Sequence, residues 1–277
     1  MIEKKPSNGK VGLHYTRQGE GTPIVLVHGF AASNFDWTYL APELVKNGYQ
    51  VLAPDLIGHG NSIHSIPKSG YTFRVLYEHF TEWIINQEFS QEITLIGHSL
   101  GGLITLNYAI QNPSSVRKLI LINPFYDKNQ LNPVLRYISG KPEPYRKALR
   151  IAPSWLIHIV ISLDIRGLIH YEDRTRKQKA EDITRAAPEI VYIPGSIPYI
   201  SSQLSDIQLP TCVIWGTKDP TLNPNSFPEL VDALPNATGT PIRGTGHQPH
   251  LARSDKLNRI VLDFLAQQSS PQTQADL

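Results

Sequence analysis

The sequence predicts an α/β protein: a mostly parallel sheet, covered by helices on both faces, with a helical segment inserted after its sixth strand. Three observations predict this. Short, nearly continuous apolar runs at 24–28, 93–97 and 119–122 alternate with segments of helical spacing, as expected for strands buried on both faces. The alternation stops after Asn123-Pro124, and from about 125 to 206 there are many prolines and basic residues but no convincing strand. It then resumes at 212–215. The simplest organisation is one sheet domain built from 1–124 and 207–277, with 125–206 as a helical cap.

Each element has its own signal. A short strand is expected at 11–16, and another at 24–28 between Gly21-Thr22-Pro23 and Gly29. Residues 36–46 carry Trp37, Leu40 and Leu44 on one helical face. Residues 50–53 form a strand and 54–60 a loop rich in breakers. Residues 73–88 place Leu76, Phe80, Trp83 and Ile84 on an inward stripe. A strand at 93–97 leads into a helix at 100–111, then a strand at 119–122. After 212–215 the rhythm continues through 227–234, 238–242 and 255–266, and the polar tail 269–277 is expected to be disordered.

Composition narrows the function. With 40% apolar and 18% charged residues, the 277-residue chain can bury a sizeable core. A balance of 26 basic against 24 acidic residues, net +2, gives no reason to expect nucleic acid or an acidic surface as partner. The start lacks a signal-length apolar run, which leads to the expectation of a cytoplasmic protein. The greasy stretch 155–169 is interrupted by Ser162, Asp164 and Arg166 and is too short to span a bilayer, so no integral membrane segment is expected. The lone Cys212 reads as a buried strand residue. No repeat and no metal-spaced cluster is found; His247 and His250 lack the i,i+4 spacing and glutamate of a zinc helix.

Gly97-His98-Ser99-Leu100-Gly101 is a G-x-S-x-G motif. Roughly one random chain in ten of this composition would contain one, so its weight comes from context. An apolar strand precedes it and a helix follows, which is the setting for a tight turn that projects a serine hydroxyl above the sheet. Side-chain bulk at 97 or 101 would collide with neighbouring backbone. The competing reading is that Ser99 only caps the helix. Three further features favour a nucleophile. Val25-Leu26-Val27-His28-Gly29-Phe30 is a strand ending where the amide of Phe30, with that of Leu100, can face a developing oxyanion. His28 itself reads as a buried histidine bonded to loop backbone. Asp219, on the loop after Trp215, can orient a histidine; Asp127 and Asp206 are rivals with poorer spacing. His247, in Gly244-Thr245-Gly246-His247, is the candidate base, with His250 as a pocket or supporting residue. The order Ser99, Asp219, His247 is nucleophile, acid, base.

With these motifs in place, the sequence resembles the α/β-hydrolase superfamily, of the small, lid-bearing bacterial esterase type. The likeness rests on His28-Gly29-Phe30, Asp55 through Ser62, Gly97 through Gly102, Trp215 through Asp219, and Gly246-His247, and covers nearly all of the chain outside the insertion. It implies that Asp55 to Ser62 is a structural loop near the site and that 125–206 is a lid after the sixth strand. A serine at 99 argues against epoxide hydrolase and haloalkane dehalogenase chemistry, where an aspartate stands at the elbow. The expected activity is cofactor-free cleavage of a small-molecule carboxylic ester through an acyl-enzyme. Lactonase, thioesterase, perhydrolase and carbon–carbon hydrolase reactions use the same triad and stay open, as does a slow-turnover receptor. Substrate contacts are expected from His98, Trp155, Leu156, Ile159 and His250, the apolar face serving either as an acyl wall or as the attachment of the cap. Arg146, Lys147 and Arg150 read as a solvated charged face.

Overall fold

β3 (Thr22–Val27), β5 (Ile93–His98), β6 (Val116–Ile122) and β7 (Thr211–Gly216) form the inner part of a sheet whose strands are almost entirely buried. This computed structural model describes residues 2–4, 12–64, 66–151 and 172–267. Along each inner strand successive side chains enter opposite cores, as the two-residue repeat of a strand requires. Val25, Leu95, Leu119 and Val213 join one apolar cluster, while Ile24, Ile96, Ile120 and Ile214 join the other. Both faces therefore need helices, which explains why apolar runs are continuous rather than alternating.

The sheet has eight strands in the order β1-β2-β4-β3-β5-β6-β7-β8. β1 (Ile2–Lys4) and β2 (Tyr15–Gln18) pair antiparallel at one edge, and β4 (Tyr49–Pro54), the inner strands and β8 (Ala237–Ile242) run parallel. The chain leaves β3 toward β4 on one side and returns to β5 on the other. That reversal opens a crevice at the carboxyl ends of β3 and β5, where ligands bind in open α/β sheets. Helices α2 (Phe73–Ile85) and α3 (Leu100–Gln111) cover one face, α1 (Leu40–Lys46) and a carboxyl-terminal helix, Ser254–Ala266, the other.

Two elements differ from the sequence reading. The strand expected at 11–16 is found at Tyr15–Gln18, in register with β4. The single helix expected at 36–46 is divided into a 3-10 turn, Asn34–Trp37, and α1. Pro42 supplies the reason: it lacks the N–H a continuing helix would bond to Thr38, but is tolerated in the first turn of a helix starting at Leu40. The break turns Asp36 inward, where it is 1% exposed.

Between β6 and β7 the described residues form helices and turns and no strand. They include α4 (Pro133–Gly140), α5 (Pro142–Ile151) and α6 (Asp173–Arg185), then short 3-10 turns to Asp206. α6 lies along the loop before α1, where Ser33 Oγ donates to Asp182 Oδ1 at 3.0 Å and Lys179 Nζ to Asp36 Oδ1 at 3.2 Å. The greasy stretch with Trp155, Leu156 and Ile159, and the tail 269–277, lie outside the described residues. No helix among the described residues is long and apolar enough to cross a membrane.

Candidate active site

Ser99 stands between β5 and α3 with φ +50°, left-handed backbone that non-glycine residues seldom adopt. The turn is tight on both sides. A Cβ at Gly97 would lie 2.5 Å from the Gly101 carbonyl oxygen, and one at Gly101 would lie 2.1 Å from that of Val27. Both glycines are thus dictated by backbone approach, and the serine is held above the sheet with α3 beginning directly behind it. Leu100 opens that helix, so its N–H belongs to the first turn, which has no intrahelical acceptor.

Two other strand ends converge on this hydroxyl. His247 Nε2 lies 3.0 Å from Ser99 Oγ, and His247 Nδ1 lies 2.7 Å from Asp219 Oδ2. A carboxylate has no proton to give, so Nδ1–H is the donor and Nε2 presents its lone pair to the serine. Asp219 follows β7 and is 7% exposed. Its Oδ1 accepts the amides of Thr221 (2.8 Å) and Leu222 (3.0 Å), while Oδ2 also accepts Asn123 Nδ2 at 2.7 Å. Burial alone would raise its pKa; the His247 ring and these donors outweigh it and hold the carboxyl below its ordinary value. Asp127 instead caps the turn Lys128–Gln130 through the Asn129 amide, and Asp206 ends a separate exposed turn.

Asn123 is a site residue that the sequence reading does not include. At the end of β6 with φ +42°, it donates to Asp219 and its own Oδ1 accepts the Gly216 amide at 3.3 Å. An Asn-Pro pair at a strand end was the available signal. Asn tolerates positive φ better than other non-glycine residues, and the following proline ends the strand.

A second polar group lies behind His247. His98 Nε2 donates to the His247 carbonyl at 3.0 Å, and its Nδ1 is 3.5 Å from Asp36 Oδ2. His250, expected as a pocket or supporting residue, is 1% exposed and lines neither cavity, so it makes no substrate contact; it packs against Trp37 and His98, with Nε2 3.8 Å from Asp36 Oδ2. It is kept inward because it sits on a one-turn helix, Pro249–Ala252, between β8 and the last helix. Burial would push Asp36 up, but the Lys179 ammonium beside it holds it well below the usual carboxylate range. Burial pushes His98 down to about 3 and lowers His250 as well, so both rings are neutral. Asp36, His98 and His250 have donor atoms within 4.8 Å of one another, a grouping that sequence spacing did not reveal. Lys179 already neutralises this carboxylate, and its fixed ammonium opposes a metal cation at the same place.

The neighbouring loops are structural in geometry. His28 Nδ1 donates to the Gly29 carbonyl and its Nε2 accepts the Leu56 amide at 3.0 Å. Asp55 is buried and accepts from His14, Asn34 and Asn61. Two cavities meet at Ser99. The wider, about 760 Å³, is lined by Phe30, His98, His247, Gln248, Arg150 and Arg185 among others. The narrower, about 140 Å³, lies between Phe30, Leu100, Phe125, Ile138, Val191 and Leu222. Arg146, expected to be solvated, is largely covered and bonded to Glu143 and Glu189.

Known proteins share this arrangement of strands. Residues 22–152 match the family model described as the alpha/beta hydrolase fold. A 133-residue stretch is 33% identical to bifunctional epoxide hydrolase 2 of Sus scrofa, covering 48% of this chain but only 24% of that protein. (E)-2-((N-methylformamido)methylene)succinate hydrolase of Acinetobacter baylyi is 24% identical over 96% of this chain and 98% of its own length. The solved structure of a thermophilic esterase from Thermogutta terrifontis superposes with a TM-score of 0.77 at 20% identity, over 95% of this chain and 97% of that one. The fold of this chain is therefore that of the α/β hydrolases, and its residues 22–152 match their family model.

Proposed function

We propose that the protein is a serine hydrolase that cleaves a hydrophobic carboxylic ester through a covalent acyl-enzyme. The observation that carries this reading is the continuous hydrogen-bonded chain Ser99–His247–Asp219 at a strained strand-to-helix turn. Ser99 Oγ attacks the acyl carbon as His247 Nε2 takes its proton. The carbonyl oxygen becomes an oxyanion facing the amides of Phe30 and Leu100, donors of a kind worth about 3–4 kcal/mol each in comparable sites. The bond to the alcohol oxygen then breaks, and His247 returns the proton to that leaving group. Water attacks the acyl-enzyme, giving a proton to His247; Ser99 leaves, recovers the proton, and the acid departs. Asp219 keeps the imidazole in the required tautomer and stabilises its cationic form. The insertion 125–206 acts in this scheme as a cap that roofs the cavities.

The test is covalent labelling with a fluorophosphonate, alongside Ser99→Ala and His247→Ala. The parent should label and both variants should not, and p-nitrophenyl ester hydrolysis should fall in parallel. Labelling that survives in Ser99→Ala would overturn the assignment.

A further inference from the structure

We infer that the narrow cavity is the acyl site, taking a compact, uncharged hydrocarbon group of at most about six carbons, while the wide cavity takes the leaving alcohol. This rests on the serine hydrolase reading above and adds the sidedness and size of the substrate to it. A tetrahedral intermediate on Ser99 has three other substituents. The oxyanion points to the amides of Phe30 and Leu100, and the leaving oxygen must lie near His247 Nε2, which protonates it. The acyl chain takes the direction that remains.

The two cavities divide along that line. His247 and Gln248 line the wide cavity and not the narrow one, whereas Leu100 lines the narrow cavity and not the wide one. Ser99 and Phe30 line both, as residues at the junction should. The narrow cavity therefore opens from the nucleophile beside an oxyanion donor and away from the general acid. Its wall is apolar: Phe125 and Leu222 from the core, Ile138 from α4 and Val191 from the turn after α6. Among the described residues the one hydroxyl on its lining besides those of Ser99 and Thr221 is that of Ser139, which donates to the Arg136 carbonyl at 2.8 Å. No charged side chain among the described residues lines it, so a carboxylate or ammonium on the acyl group would be desolvated without a partner there. At about 140 Å³ it is close to the ~150 Å³ of a dry apolar cavity that accepts benzene. The wide cavity is several times larger and has Arg150 and Arg185 on its lining, which suits a bulkier and more polar leaving group.

Two isomeric esters test this directly, because they have the same atoms and differ only in direction: octyl butyrate and butyl octanoate. Each is assayed with the enzyme active-site-titrated by fluorophosphonate. The expected result is at least a ten-fold higher kcat/KM for octyl butyrate, with p-nitrophenyl esters improving about four-fold per methylene from acetate and declining beyond hexanoate. Ile138→Ala should move that optimum to longer acyl chains and Ile138→Phe to shorter ones. The optimum is a ratio within one variant, so loss of folded protein leaves it unchanged. Equal rates for the isomers, a preference for butyl octanoate, or free enzyme that cleaves neither although a separate portion of it labels at Ser99 would overturn the acyl assignment while leaving Ser99 as the nucleophile. Absence of labelling would instead overturn the hydrolase reading, and the acyl site with it.

Discussion

Lys179→Met isolates the contact between the inserted helix α6 and the core. Lys179 Nζ lies 3.2 Å from Asp36 Oδ1, and the two side chains are 10% and 0% exposed. Removing the ammonium strands a fully buried carboxylate whose remaining neighbours are neutral imidazoles at 3.5 and 3.8 Å. Breaking a buried pair from one side costs about 3–5 kcal/mol, because the partner's charge is left uncompensated. For a chain of this size that is a fall in Tm on the order of 10 °C. The double variant Asp36→Asn/Lys179→Met leaves no charge behind and should recover much of the loss. Thermal and urea unfolding of the parent, the single variant and the double variant measure the difference. A single-variant cost below about 1 kcal/mol, or a double variant less stable than Lys179→Met alone, would refute the reasoning that this carboxylate is held ionised by lysine.

Two other outcomes are expected. Asp219→Asn should lower kcat by about four orders of magnitude through loss of the correct His247 tautomer, while Asp127→Asn, at a surface turn cap, should leave ester turnover within a few-fold of the parent. Stability should fall with acid: burial lowers His59 and His98 to about 3 and also lowers His250, so the unfolded chain binds protons below about pH 6.5 that the folded one refuses. Each such histidine contributes a slope of roughly 1.4 kcal/mol per pH unit, present in full above the unfolded pKa and lost toward the folded one. A Tm that stays flat from pH 7 to 4.5 would contradict the buried, neutral state of these rings.

Local signals carried far. Apolar runs at β3, β5, β6 and β7 are legible because a doubly covered strand has no solvent face to interrupt it. The turn at Ser99 was legible because two glycines and flanking elements encode its geometry within five residues. What was not legible is assembled across the chain. Asn123 meets Asp219 over 96 residues, and Lys179 meets Asp36 over 143. Neither pair has a periodicity or spacing to betray it. For His250 the loop position left a pocket place and a supporting place open, and the structure excludes the pocket: the ring is buried between His98 and the carboxylate of Asp36. The division of the expected 36–46 helix was encoded locally by Pro42, whose meaning was outweighed by the apolar spacing of Trp37, Leu40 and Leu44.

The pairing of α6 with the loop before α1 also bears on how molecules enter and leave. Lifting α6 away would uncouple Lys179 from Asp36, Asp182 from Ser33, and the Tyr39 hydroxyl from Glu172 and Thr175 together. A hinge that swings the whole insertion off the sheet therefore meets a steep barrier on this side. α4 and α5 face solvent over much of their length and have no fully buried side chain, and the ion pairs that tie α5 down, Lys68–Glu143 and Arg146–Glu189, are more exposed than Lys179–Asp36. If the insertion roofs the site as proposed, its α6 side is the flank that the buried polar contacts tie to the core.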